Sequence, residues 1–164
     1  MREPFRIVPA EERAQIDHVR TLFREYASSL GFSLCFQSFD AELAGLPGEY
    51  SPPAGRLILA FCDSIPAGCV ALRKWEDGIC EMKRLYVRPP FRGCGLGRDL
   101  VLALIEQARQ SPYGRIRLDT IGASMAEAVG LYRSLGFRDI PAYCHNPIPG
   151  AIYLELDLKV VRDT

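Results

Sequence analysis

A glycine-rich segment joins an arginine to backbone groups that can bind a phosphate. Arg92 is followed by Gly93, Gly95 and Gly97, and the apolar spacing becomes helical from Leu96 onward. The first N–H groups of a helix have no partner within the helix, and glycine lets them approach an anion closely. The guanidinium at the entrance to the turn adds a charged donor. These residue types predict a site for a phosphate or pyrophosphate; the alternative is a tight turn that binds no ligand.

The spacing of the glycines separates this turn from two other phosphate-binding motifs. The dinucleotide fingerprint requires Gly-x-Gly-x-x-Gly, whereas here the glycines follow Gly-x-Gly-x-Gly. The Walker loop ends in Gly-Lys-Ser/Thr, whereas Arg98 follows Gly97 here. Residues 79–87 are rich in apolar and β-compatible side chains, and Pro89 and Pro90 end that run. The turn is therefore predicted to join a strand to a helix.

Several polar and aromatic side chains outside the turn are candidates for contact with a substrate. Basic residues are dense in the segment 73–84 and could orient a carboxylate, although alternation can equally place them on a solvated face. Phe36 can pack in the core or contact a ligand, and the amide of Gln37 beside it needs a partner. The proline-rich loop 141–150 supplies further polar groups. The predicted substrate contacts are Phe36, Gln37, Lys83, Tyr143 and Asn146.

Local patterns predict the elements that position these residues. A short strand and an amphipathic helix that ends near Gly31 are followed by a short helix over 40–46. A hairpin over 56–75 precedes the strand that leads into the glycine turn. Helix, strand, helix and strand follow, with capping-box spacing at Ser124 and Glu127 before the last helix, and the final strand is predicted over 151–160. This order predicts a mixed sheet of the α+β class.

The composition narrows the class of function. The 164-residue chain carries 20 basic and 20 acidic residues, so no net charge favours nucleic acid. No apolar run is long enough to span a membrane. We therefore expect one domain over residues 1–164, a cytoplasmic location, and no nucleic-acid or membrane partner; a homodimer is compatible with these features.

The six cysteines do not suggest a metal site. None forms a Cys-x-x-Cys pair, so no metal is predicted. Cys62, Cys69 and Cys80 lie among strand-like apolar residues and are expected to be small buried side chains. Cys94 lies in the turn, where a helix N-terminus would favour its thiolate. We expect it to be a spacer, and the alternative is an acyl carrier.

The turn and a later helix together resemble the GNAT superfamily of N-acetyltransferases. The turn matches Arg-x-x-Gly-x-Gly as Arg92, Gly95 and Gly97, just after the predicted strand. A second motif reads Ala128-x-x-Leu131-Tyr132-x-x-Leu135-Gly136-Phe137. The specific likeness covers residues 79–137 and points to a bacterial subgroup of mostly unassigned substrate. One position departs from the pattern, because Met125 stands where the family often has an asparagine.

The resemblance implies a mostly antiparallel central sheet flanked by helices in three layers, with acetyl-CoA as co-substrate. The strand backbone at Leu85, Tyr86 and Val87 would pair with the pantetheine arm, and one of its amides can polarise the thioester carbonyl. The pyrophosphate would be held by the turn, that is by Arg92, Gly93, Cys94, Gly95, Leu96 and Gly97.

The resemblance also implies an acid and a base. Tyr132 matches the family's usual acid, which protonates the departing thiolate; the alternative is a core tyrosine on an apolar stripe. Glu81 matches a strand position where some members keep the base, acting directly or through water. It can equally be a solvated carboxylate paired with Lys83. Asp119 and Glu127 are weaker candidates for the base.

The implied activity is direct transfer of an acetyl group from acetyl-CoA to a primary amine, with Tyr132 and Glu81 as the catalytic pair. The expected acceptor is a small molecule such as an amino acid or a related metabolite. Two alternatives stay open: transfer to a protein or peptide amine, and an acyl-CoA-binding sensor domain without turnover.

Overall fold

The computed structural model describes residues 5–31, 33–34, 38–122 and 125–159. Within these ranges seven strands and four α-helices follow one another along the chain. The helices are α1 (Arg13–Ser29), α2 (Phe39–Gly45), α3 (Leu96–Arg109) and α4 (Ala126–Ser134). The strands are β1 (Phe5–Pro9), β2 (Arg56–Cys62), β3 (Ile65–Glu76), β4 (Ile79–Val87), β5 (Arg115–Ile121), β6 (Arg138–Asp139) and β7 (Ala151–Asp157).

The described strands form one mixed sheet in the order β1-β2-β3-β4-β5-β7-β6. Neighbouring strands run antiparallel, except for the parallel pair β4 and β5. The predicted fold class, a mostly antiparallel central sheet flanked by helices, is confirmed. Among the described helices, none combines the length and the apolar character that a membrane crossing requires.

Each face of the sheet is covered by its own hydrophobic core. Leu100, Val101 and Leu104 of α3 are fully buried on one face, together with side chains from the sheet. Leu22 and Phe23 of α1 are fully buried in the second core, on the other face. Burying one such side chain contributes about 1.5–3 kcal/mol. Because both faces are covered, β2 and β3 are apolar along most of their length, as the sequence shows.

The boundaries of some elements differ from the predicted ones. The sequence from Pro9 to Glu12 predicts the start of the first helix, but Pro9 ends β1, because an edge strand does not need its missing N–H group. The helix instead begins at Arg13, where Glu12 and Gln15 form a capping box. Ser124, the first residue of the predicted capping box, lies outside the described residues, and so does the end of the last predicted strand.

Strand β4 contains a bulge at Arg84, a non-glycine residue with φ of 63°. Between the pairs Cys69–Tyr86 and Ala71–Lys83, β4 contains one residue more than β3. An inserted residue bends its strand and shifts the alternation of side chains. After the bulge, Tyr86 packs into the core beneath α1 and α2. The bulge thus changes the course of β4 just before the glycine turn.

The close approach of β3 and β4 gives a test of the fold. A Cβ added at buried Gly68 would lie 2.7 Å from the backbone oxygen of Tyr86. We expect Gly68→Ala to lower the free energy of unfolding by about 1–3 kcal/mol, because the strands would have to separate. Gly130→Ala, where nothing lies within 4 Å of the added carbon, should raise it by about 0.5–1 kcal/mol. Urea unfolding measures both; equal effects would contradict this packing.

Candidate active site

Backbone pairing between β4 and β5 stops after three residue pairs, of which the last is Glu81–Arg117. The two strands continue to Val87 and Ile121, so they diverge and leave a cleft of about 530 Å³. Predicted site residues in its lining are Lys83, Leu85, Tyr86, Val87, Arg92, Tyr132 and Asn146. The sequence therefore identified many of the residues that line the cleft, which belong to β4, the glycine turn, α4 and the loop 141–150.

The glycine turn lies at the start of α3, beside this cleft. Gly93 and Gly95 have φ of 85° and 87°, a region that side chains strongly disfavour. Gly95 is the N-cap of α3 and offers no side chain to the first N–H groups of the helix. Arg92 donates from Nε to the Val87 carbonyl at 2.8 Å, which ties the turn to the end of β4. The thiol of Cys94 donates to the Phe91 carbonyl at 3.0 Å.

Gly97, in the first turn of α3, has a different reason to be glycine. A Cβ at this position would meet Leu131 at 3.8 Å and Val87 at 3.9 Å, which are ordinary contacts. Its backbone has no positive φ, in contrast to Gly93 and Gly95. Nothing in the described protein requires a glycine here. The missing side chain instead leaves space next to the positive end of the helix dipole, where an anion is favoured.

Tyr132 of α4 lines the cleft and is 6% exposed. Its ring packs against Phe137, with 5.7 Å between the ring centroids. Burial raises the pKa of the Tyr132 phenol above its usual value. The hydroxyl therefore keeps its proton at neutral and mildly alkaline pH, which an acid requires.

Glu81 is deeply buried and already has partners for both carboxylate oxygens. Its side chain is 1% exposed, and Arg73, its cross-strand neighbour on β3, donates from Nε to Oε1 at 2.8 Å. The Tyr143 hydroxyl donates to Oε2 at 2.6 Å. The Glu81 carboxylate is therefore buried, and the predicted alternative of a solvated carboxylate is wrong. A buried charge of this kind requires such partners. The predicted contact of Glu81 with Lys83 is present as a longer one, 4.0 Å from Nζ to Oε1.

Asp119 is the carboxylate of β5 that lines the cleft. The Asn146 amide donates from Nδ2 to Asp119 Oδ2 at 3.0 Å. The Ile148 N–H in turn donates to Asn146 Oδ1 at 2.9 Å, which fixes the orientation of the amide. The sequence ranked Asp119 below Glu81, although its alternation with buried Leu118 and Thr120 was a signal that it faces away from the core.

Arg84, the bulge residue, is anchored to α2. Its guanidinium donates from Nε and Nη2 to the two oxygens of Glu42, both at 2.9 Å. It also lies over the Phe39 ring, 5.1 Å from the centroid. The side chain is 3% exposed, so this bidentate pair is enclosed. The pair connects α2 to the bulge in β4.

The predicted substrate contacts that are not among the lining residues above are Phe36, Gln37 and Tyr143. Phe36 and Gln37 lie outside the described residues. The Tyr143 hydroxyl instead donates a hydrogen bond to Glu81.

Glu81, Asp119 and Cys144 place ligand atoms within 4.8 Å of one another, a spacing that a metal ion could use. Because Arg73 and Tyr143 already bind Glu81, we keep the absence of a metal as a prediction.

Comparison with known proteins identifies the class of this fold. A model of the Acetyltransferase (GNAT) family matches residues 16–137. An uncharacterized N-acetyltransferase of Schizosaccharomyces pombe is 41% identical over 88% of this chain and 89% of its own. The N-acetylaspartate synthetase of Rattus norvegicus is 36% identical over 66% of this chain and 37% of its own. A GNAT family acetyltransferase of Elizabethkingia anophelis, solved with acetyl-CoA bound, has a TM-score of 0.66 at 22% identity, covering 93% and 97%.

A sheet that divides between two parallel strands, beside a glycine-rich helix start, thus has the architecture of an acyltransferase. The chain belongs to the acetyltransferase (GNAT) family. The predicted family and enzyme class are confirmed.

The buried pair at the bulge gives a second test of stability. We expect Glu42→Ala to lower the free energy of unfolding by about 3 kcal/mol, because it leaves the Arg84 charge buried without its anchor. Asp40→Ala in the same helix removes an exposed carboxylate and should change it by less than about 1 kcal/mol. Chemical denaturation distinguishes the two; similar small changes would show that the pair does not hold the bulge.

Proposed function

We propose that this protein transfers an acetyl group from acetyl-CoA to the primary amine of a small molecule, such as an amino acid or a related metabolite. The observation that carries the proposal is the cleft between β4 and β5. One side of it meets the glycine turn and α4, and the other meets α1, Lys83 and Asp119. A donor and an acceptor can therefore approach each other through the divided sheet.

The residues on the donor side fit acetyl-CoA. Beyond Glu81, the edge of β4 that faces β5 lies outside the ladder, so an extended arm can pair with Leu85, Tyr86 and Val87. The N–H groups at the start of α3 suit a pyrophosphate, and the space at Gly97 lets it approach. The Elizabethkingia relative, which contains acetyl-CoA, supports the same assignment through its shared fold. When bound, acetyl-CoA supplies the activated acyl group.

We assign both the acid and the base of the proposed reaction to side chains of this protein. Tyr132 acts as the acid, because burial keeps its hydroxyl protonated. For the base, the sequence favours Glu81, which can receive a proton only through a neighbour such as the Tyr143 hydroxyl. Asp119 lines the cleft itself and can accept the proton directly or through one water. We therefore propose Asp119 as the base and Glu81 as the residue that holds the network behind it.

The nature of the acceptor is supported by the size of the site and by a relative. The whole cleft has a volume of about 530 Å³ and must also hold part of acetyl-CoA, so the space left suits a small acceptor. A matched relative is named N-acetylaspartate synthetase, which makes an amino-acid acceptor reasonable for this chain. A cytoplasmic location is supported by free thiols such as those of Cys69 and Cys80, because thiols stay reduced in the cytoplasm.

The proposed activity is tested by amine-dependent release of CoA from acetyl-CoA over a panel of small amines. Tyr132→Phe should lower kcat by about 100-fold with little change in acetyl-CoA binding, because it removes only the acid. Tyr113→Phe removes a hydroxyl that is bound to the Ala54 carbonyl and should leave kcat unchanged. A Tyr132→Phe enzyme as active as the wild type would exclude the acid role.

The raised pKa of Tyr132 predicts the alkaline behaviour. A higher pKa means that the phenol loses its proton only at higher pH, so the acid form persists. We expect kcat to show no decrease from phenol ionisation up to about pH 10, the usual pKa of tyrosine. A pH profile of kcat checks this; a wild-type decrease near pH 8 that is absent from Tyr132→Phe would contradict it.

The two carboxylates are separated by paired variants. Asp119→Asn should lower kcat by about 100-fold or more, since a base contributes that much. Glu81→Gln should act mainly on stability, because it weakens the buried contact with Arg73. Measurement of kcat beside thermal unfolding distinguishes them. The reverse pattern, with a stable but inactive Glu81→Gln protein, would return the role of base to Glu81.

A further inference from the structure

The point at which the sheet divides places a cation and an anion on opposite walls of the cleft. We infer that the acceptor carries a carboxylate as well as its primary amine, with Lys83 binding the carboxylate and Asp119 the amine. The inference deepens the proposed function and rests on it. It concerns recognition of the acceptor by two residues of the chain, not the donor site.

The register of the strands brings these two residues together. Glu81 and Arg117 form the last pair of the parallel ladder. Two residues farther along each strand lie Lys83 and Asp119, which share a face because side chains alternate. If the ladder continued, they would be the next pair on that face. Because β4 and β5 diverge instead, the two side chains line a cleft that a ligand can enter.

Two other charged residues near this wall, Glu81 and Arg84, form ion pairs within the protein. Glu81 binds Arg73 at 2.8 Å, and Arg84 binds Glu42 through two contacts. These pairs fix the strands and α2 in place. Like Arg84, Lys83 and Asp119 belong to the cleft lining, and these two carry opposite charges on the two diverging strands. An acceptor with groups of both signs is complementary to that arrangement.

The surroundings of Lys83 favour an anionic ligand. Its side chain is 7% exposed, and its Nζ lies 4.0 Å from Glu81 Oε1, which Arg73 already contacts. Burial is the main cause that lowers the pKa of Lys83. A carboxylate bound beside it would favour the charged ammonium and would gain from the weak solvation.

Asp119 is oriented to receive the amine. Asn146 holds its Oδ2, and the Ile148 N–H holds Asn146 in turn. The carboxylate therefore has a fixed position on the β5 wall, beside Leu118 and Thr120, which also line the cleft. An amino N–H can donate to it and face the donor side, while the carboxylate of the same molecule extends to Lys83.

The test compares matched acceptors that differ only in the carboxylate. A panel of L-amino acids is assayed beside the carboxamide of each, with acetyl-CoA, by release of CoA. We expect kcat/KM for the best amino acid to exceed that of its amide by about tenfold or more, because a site built for a polar group rejects the analogue that lacks it. This comparison uses the wild-type protein and depends on no variant.

Variants assign the preference to Lys83. Lys83→Met should lower kcat/KM for the amino acid by about tenfold or more and change that for the amide by less than about threefold. Lys83→Arg should retain part of the preference, because it keeps the charge. The control is Lys74→Met, which removes a 52% exposed lysine paired with Asp77 and should leave the preference unchanged. Thermal unfolding checks that each variant is folded.

A binding measurement gives a readout besides turnover. In titration calorimetry with saturating CoA, the best amino acid should bind the Lys83→Met protein about tenfold more weakly than the wild type. Equal use of acid and amide by the wild type, or an equal loss of both in Lys83→Met, overturns the inference and leaves the proposed function standing. A protein that binds acetyl-CoA but acetylates no amine overturns both.

Discussion

The structure depends on a parallel ladder that ends after three residue pairs. β4 and β5 begin side by side and then separate, although both continue as strands. The bulge at Arg84 bends β4, and the bidentate contact with Glu42 fixes that bend to α2. Because strands that separate leave part of an edge outside the ladder, the same event that interrupts the sheet creates a template for an extended ligand.

We propose that the divided sheet distributes the two substrates between its faces. The glycine turn, the start of α3 and Tyr132 belong to the donor side, where an anion and a leaving group must be accommodated. Lys83, Asp119 and the end of α1 belong to the acceptor side. The buried contacts of Glu81 with Arg73 and Tyr143 connect the strands behind this side to the loop 141–150. The side chains that we propose for catalysis therefore lie next to those that stabilise the fold around the cleft.

The sequence predicted what local chemistry determines. The strand 79–87, the glycine turn and the helix after it follow from residue types within a few positions of one another, and the structure has all three. The partners of Glu81 could not be predicted, because Tyr143 is 62 residues away and reaches it only through the fold. The bulge at Arg84 was also missed, because an arginine with positive φ gives no local signal, and its partner Glu42 lies far away in the sequence, in α2. The alternation of side chains in the sequence could suggest that Asp119 faces away from the core, but only the end of the ladder shows that it lines a cleft.

We propose above all that the cleft between β4 and β5, beside the glycine turn, binds acetyl-CoA. Titration calorimetry with the Gly97→Asp protein tests this binding most directly. An aspartate in the first turn of α3 should keep or raise the free energy of unfolding, because it suits the helix dipole and has room for its Cβ. The same carboxylate would occupy the space for the pyrophosphate and repel it. The account predicts binding of acetyl-CoA by the wild type and loss of binding by a fully folded Gly97→Asp protein. Equal binding by both proteins, or none by the wild type, would contradict it.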